Sequence, residues 1–197
     1  MRLNIRKLAL MATLTTIALI IFIVEAQIPL PIPVPGVKLG LANAVTLFAL
    51  FYGVRQGKDK GTVPLSCFAK TEEPSPCLAP CIPVPALTTM NVFAILLCRI
   101  VLGALFTGRP LVVAYGLIGG ILAFVAQVVM KRFVSPKQIW VCGAIGAIFH
   151  NIGQIATAMV ITGTPAIITY LPILIIAGVI TGILTGLIAQ LTLLRLP

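Results

Sequence analysis

The sequence predicts an all-α integral membrane protein of six transmembrane helices, with an apolar, proline-rich loop after the first. Three observations carry this prediction. The chain is 59% hydrophobic and 9% charged, with a mean hydropathy of +1.15; a soluble domain of 197 residues cannot bury that much apolar surface. The apolar residues fall into runs near the ~20 residues that a bilayer requires. The basic residues collect between those runs, where they orient a membrane protein.

The first run, Leu8 to Val24, follows Arg2, Arg6 and Lys7. Val24-Glu25-Ala26 loosely fits a signal-peptide cleavage site. The 17-residue run exceeds the usual ~7–15-residue signal core, and no soluble domain follows it, so a retained helix over 8–25 is expected. Residues 27–36 then read Gln-Ile-Pro-Leu-Pro-Ile-Pro-Val-Pro-Gly. Prolines at every second position remove backbone donors and exclude a helix, leaving extended chain. Because it is apolar, we read it as a cap dipping back towards the membrane, where irregular backbone is tolerated against protein or a cavity; a rigid connector is the alternative. It leads Lys38 and Asn43 into a second helix over 39–54.

Arg55 to Met90 is the hydrophilic stretch of the chain and holds Cys67, Cys77 and Cys81. A structural zinc site wants four ligands and no histidine is near, so a flexible loop with free thiols is preferred to a metal site. Further helices are expected over 91–106, with Arg99 near the centre, and over 111–130, 139–161 and 167–194. Gly163-Thr164-Pro165 separates the last two, and Pro172 falls near the start of the sixth. Cys98 and Cys142 lie within apolar runs, where a thiol behaves as a small hydrophobe.

The charges orient the bundle. With the N-terminus inside, Arg2, Arg6, Lys7, Arg55, Lys58, Lys60, Lys70, Lys131, Arg132, Lys137 and Arg195 are cytoplasmic, and the outer loops keep Lys38 and Arg109. This asymmetry predicts a multi-pass protein of the inner (plasma) membrane with both termini cytoplasmic. It also accounts for the pI near 9.9 without nucleic acid, for which aromatics interleaved with basic residues would be needed.

The polar residues of the fifth helix are the candidate site. With Ile145 at zero and ~100° per residue, His150 falls near ~140°, Gln154 near ~180° and Asn151 near ~240°. Gly143, Gly146, Ala147, Thr157 and Ala158 share the arc between about 100° and 220°. The opposite arc carries Ile148, Phe149, Ile152, Ile155, Ala156 and Met159. One face is small and polar and the other suits lipid. His150, Asn151 and Gln154 therefore read as ligand contacts, with an interhelical hydrogen-bond cluster as the structural alternative. Arg99 can pair with Glu25 or with an anionic ligand. Lys38 can join the site or snorkel to the headgroups. Gly178, Gly182 and Gly186 form a small-residue face for intrachain packing or for a partner, and Ala9, Ala12 and Thr16 form a weaker one.

Pro-Val-Pro-Gly-Val-Lys-Leu-Gly-Leu-Ala-Asn (33–43), Arg-Ile-Val-Leu-Gly-Ala-Leu-Phe-Thr-Gly (99–108) and His-Asn-Ile-Gly-Gln (150–154) resemble the Gx transporter family, often labelled heptaprenyl diphosphate synthase component I. That family is similar in turn to the six-helix, substrate-binding S components of energy-coupling factor (ECF) vitamin transporters. The resemblance implies an S-component-like bundle. It marks Lys38, Asn43, Arg99, His150, Asn151 and Gln154 as signature positions. Against the short link of the family, residues 56–89 look like a cytoplasmic insertion.

The enzyme half of that label fits the chain poorly. Magnesium diphosphate sites depend on carboxylates, and the single aspartate, Asp59, lies in the polar loop. The chain has no paired carboxylates, no P-loop and no Ser/His/Asp set, so no catalytic residue, metal or cofactor is expected. The leading expectation is a substrate-binding subunit in membrane lipid. It would take a small ligand, anionic or isoprenoid- or vitamin-like, from outside, and work with ECF ATPase and transmembrane coupling subunits. The alternative is a non-catalytic subunit of heptaprenyl diphosphate synthase or of isoprenoid, quinone or flavin redox machinery.

Overall fold

The structure, a computed structural model, describes residues 5–27, 38–58, 87–108, 111–135 and 138–195. The proline-rich segment 28–37, the cysteines at 67, 77 and 81, and Arg109 lie outside the described residues. The described chain is helical: α1 Ile5–Ala26, α2 Asn43–Lys58, α3 Thr89–Thr107, α4 Leu111–Met130, α5 Ile139–Thr162, a short 3-10 helix Pro165–Tyr170, and α6 Leu171–Arg195. Five helical stretches are long and apolar enough to cross a membrane. Large apolar side chains such as Leu105, Phe106, Val160, Ile176 and Leu184 point outwards from them. Such an apolar exterior suits lipid, not water. This is a multi-pass membrane protein.

Two of the expected elements differ. The second helix begins at Asn43 rather than Leu39, so Lys38 precedes it. Gly40 adopts φ +82°, a left-handed conformation incompatible with helix, and the N–H groups of Gly40 and Leu41 point at the Glu25 carboxylate. The apolar part of α2, Asn43–Tyr52, is too short for the ~30 Å of hydrocarbon that the other five can traverse. The sixth element opens as a 3-10 turn, and Pro172 sits in the first turn of α6, where its missing N–H costs no helical bond. The break before it is as expected: Gly163 ends α5 at φ 63°, the usual left-handed helix stop.

Helix α5 is the hub, packing most extensively against α4 and α6. Its contact with α6 is a seam of glycines. A Cβ on Gly143 would run into the Gly182 carbonyl, and one on Gly186 into the Trp140 backbone. Close backbone approach of this kind drives helix association where lipid tails are as apolar as the side chains. Gly178, Gly182 and Gly186 are thus buried within the chain. Ala9, Ala12 and Thr16 remain on the exposed side of α1. One apolar core joins Leu14 and Ala18 of α1 to Leu47 and Leu50 of α2, Ile95 and Leu96 of α3, Cys142 of α5 and Leu193 of α6.

Candidate functional site

A polar pocket opens among α1, α2, α3 and α5. A cavity of about 20 Å³, room for about one water molecule, is lined by Glu25 at the end of α1, Lys38 and Gly40 before α2, Asn43, Arg99 of α3, and His150 and Gln154 of α5. Phe22, Ala42, Ile100 and Gly116 supply its apolar walls. All five polar residues drawn from the motifs around 38–43, 99 and 150–154 other than Asn151 meet here, although up to 116 positions separate them.

The hydrogen bonds fix most of the geometry. The backbone N–H of Lys38 donates to Gln154 Oε1 at 3.1 Å. That leaves the Gln154 amide nitrogen as donor towards His150 Nε2, 3.0 Å away. His150 Nε2 therefore accepts, and the imidazole is the neutral tautomer with its proton on Nδ1. Lys38 does not snorkel outwards. Its side chain is buried, with Nζ 3.2 Å from the centroid of the Phe22 ring and 3.5 Å from the Phe22 carbonyl oxygen, a cation–π arrangement. Arg99 is buried and donates through Nη2 to Asn43 Oδ1. Glu25 lies within electrostatic reach of both cations, and its carboxylate accepts from the Gly40–Leu41 turn. It is thereby a capping group for the entry to α2.

Glycines make the pocket possible. A Cβ on Gly40 would lie 2.8 Å from His150 Cδ2, and one on Gly119 would lie 3.0 Å from His150 Nδ1. Helix α4 thus presses its backbone against the histidine.

Asn151 is the one candidate that the structure places elsewhere. Its amide donates to the Leu174 carbonyl of α6 at 2.7 Å, in space that Gly178 leaves by lacking a side chain. Ile155, expected to face lipid, is also buried there among Tyr115, Ile167 and Leu174. At ~280° on the wheel it borders the Asn151 arc, which α6 and the 3-10 helix cover. Phe149, Ile152 and Ala156 are exposed as expected.

Sequence reasoning named Glu25 as a possible partner of Arg99 but not as a cap for the Gly40–Leu41 turn, and it overlooked Gln127, the amide of α4. Buried Gln127 fits against Gly146 and, with Asn43, Thr181 and Thr185, lines a second cavity of about 10 Å³. The two cavities share Gly40 and Asn43. Among the described residues no three His, Cys, Asp or Glu side chains gather as metal ligands would.

Comparison with known families agrees with the motifs. The family model for heptaprenyl diphosphate synthase component I matches residues 14–58 and 78–192. The chain belongs to this family. The match to component I spans every element of the pocket and leaves residues 59–77 of the polar loop uncovered. No curated protein and no solved structure matches the chain.

Proposed function

We propose that this component I protein is the substrate-binding membrane subunit of an ECF-like transporter, taking up a small ligand from outside. The observation that carries the reading is the pocket itself. Charged and amide side chains from α1, α2, α3 and α5 converge in an apolar bundle, where each costs hydration that lipid cannot replace. Simple packing is served by the glycine seam and by Asn151, away from the pocket. Known small-molecule sites measure about 300–1,000 Å³, so a ligand would have to widen the cavity of about 20 Å³. Opening would move the 38–42 turn away from α5 and break the Lys38–Gln154 bond. The charge asymmetry supports both termini in the cytoplasm; the turn at 38–42 and α2 would then complete a sixth crossing together, with the pocket near the outer face. With no nucleotide-binding motif in the chain, uptake needs ECF-type ATPase and coupling subunits. Residues 59–77, which the family model leaves uncovered, would form a cytoplasmic insertion shorter than the 56–89 expected.

Native mass spectrometry of the purified protein tests this. A small retained ligand is expected, and His150→Ala or Gln154→Ala should abolish retention while the melting temperature stays close to that of the wild type. The family description favours a second reading, a non-catalytic partner of a prenyl diphosphate synthase subunit. A protein that is empty when purified but captures such a synthase overturns the transporter proposal.

A further inference from the structure

The unpaired atoms of the pocket share one polarity. Arg99 is 3% exposed, Asn43 7% and His150 4%, so unmet hydrogen-bonding capacity in these residues is costly. Among the described residues, Arg99 Nε and Nη1 and Asn43 Nδ2 have no hydrogen-bond partner. His150 Nδ1 lies against the backbone of Gly119, a residue of α4 that does not line the cavity. Arg99 and Asn43 Nδ2 are donors by chemistry. Both residues line the same cavity. Packing alone gives no reason for the spare groups to be donors. A ligand bearing oxygen acceptors does.

Charge and size narrow the acceptor. The cavity is lined by two cations, Lys38 and Arg99, one carboxylate, Glu25, and a neutral histidine. Its net charge of +1 is balanced by a single negative charge. A diphosphate carries more, and elsewhere is held through magnesium on paired carboxylates, a set that the described residues do not gather. The space is also compact. We infer that the pocket binds the monoanionic carboxylate of its ligand, with Arg99 as the charged anchor and Asn43 as a flanking donor. This inference rests on the ligand-binding reading above and names the class of substrate.

The test uses the full chain in lipid nanodiscs and follows thermal unfolding with hexanoate, hexanol, methyl phosphate and inorganic pyrophosphate as probes. Hexanoate should raise the melting temperature in a concentration-dependent way, and the other three should not. Asn43→Asp is the decisive variant. It keeps an oxygen for Arg99 to bond, so the fold survives, but it replaces the spare donor by a negative charge. Its apparent affinity for hexanoate should fall roughly 10- to 100-fold, the loss of one charge-assisted hydrogen bond. Arg99→Lys, which keeps the charge and removes the fork, should fall by a similar factor. Pyrophosphate stabilising the wild type as well as hexanoate does, hexanoate acting no differently from hexanol, or Asn43→Asp responding like the wild type would each overturn the carboxylate assignment. A co-purified ligand that is neutral or cationic would overturn it while leaving the transport reading intact.

Discussion

Helix α5 presents polar side chains to two neighbours, and the two sides are built differently. Towards α6, Asn151 donates to the Leu174 carbonyl across a seam where glycine backbones touch. Towards α1, α2 and α3, His150 and Gln154 border a cavity whose spare atoms belong to Arg99 and Asn43. Both sides bury amides in an apolar bundle, so polarity alone does not distinguish a clamp from a site. The difference lies in space and charge. The seam borders only the smaller cavity of about 10 Å³ and holds no ionised group, whereas the pocket of about 20 Å³ gathers three.

Removing the charge balance should have the largest effect. Glu25 is buried, accepts from two backbone N–H groups and faces Lys38 and Arg99. Glu25→Ala leaves two buried cations without a carboxylate, a change of about 3–5 kcal/mol in comparable sites. Glu25→Gln should lose less, because an amide oxygen still caps the Gly40–Leu41 turn. Urea or thermal unfolding in detergent reads the order. Equal losses would mean that the charge contributes nothing and that Glu25 acts as a cap alone.

Crowding the seam should come next. A Cβ on Gly182 meets the Gly143 carbonyl at 2.7 Å and the Ala144 Cα at 2.8 Å, backbone atoms that cannot rotate away. Gly182→Val should destabilise by about 1–3 kcal/mol or more, with ligand retention lost only in proportion to the unfolded fraction. Retention abolished in protein that melts like the wild type would place the seam in the binding mechanism and erase the contrast.

These two regions were unequally legible in the sequence. Periodicity and hydropathy located the helices because a bilayer imposes length and apolarity on each span independently. The cavity residues stood out because ionisable and amide groups are rare in such segments. Two things were hidden. The later start of α2 depends on Glu25 reaching Gly40 and Leu41, a contact across the proline-rich segment that no local pattern encodes. The separation of Asn151 from His150 and Gln154 was present in the wheel as a difference of ~60–100°, but which neighbour covers that arc is decided by tertiary packing. Gly178 is the signal that could have settled it, since a glycine on α6 makes a hole for an opposing side chain.

The smallest predicted effect isolates that hole. Transmembrane side-chain hydrogen bonds average about 0.6 kcal/mol, so Asn151→Ala should lower stability only slightly and leave ligand retention unchanged, unlike His150→Ala. Gly178→Ala should cost more, because its methyl group overlaps the Asn151 amide nitrogen and drives it from the Leu174 carbonyl. Combining the two should recover part of the loss, since the new methyl then occupies the volume that the amide vacates. Such a rescue is a coupling between contacting residues, read from the melting temperatures of the four proteins. Additive losses would mean that Asn151 and Gly178 do not share the space, and that Asn151 is free to turn towards the pocket with its neighbours.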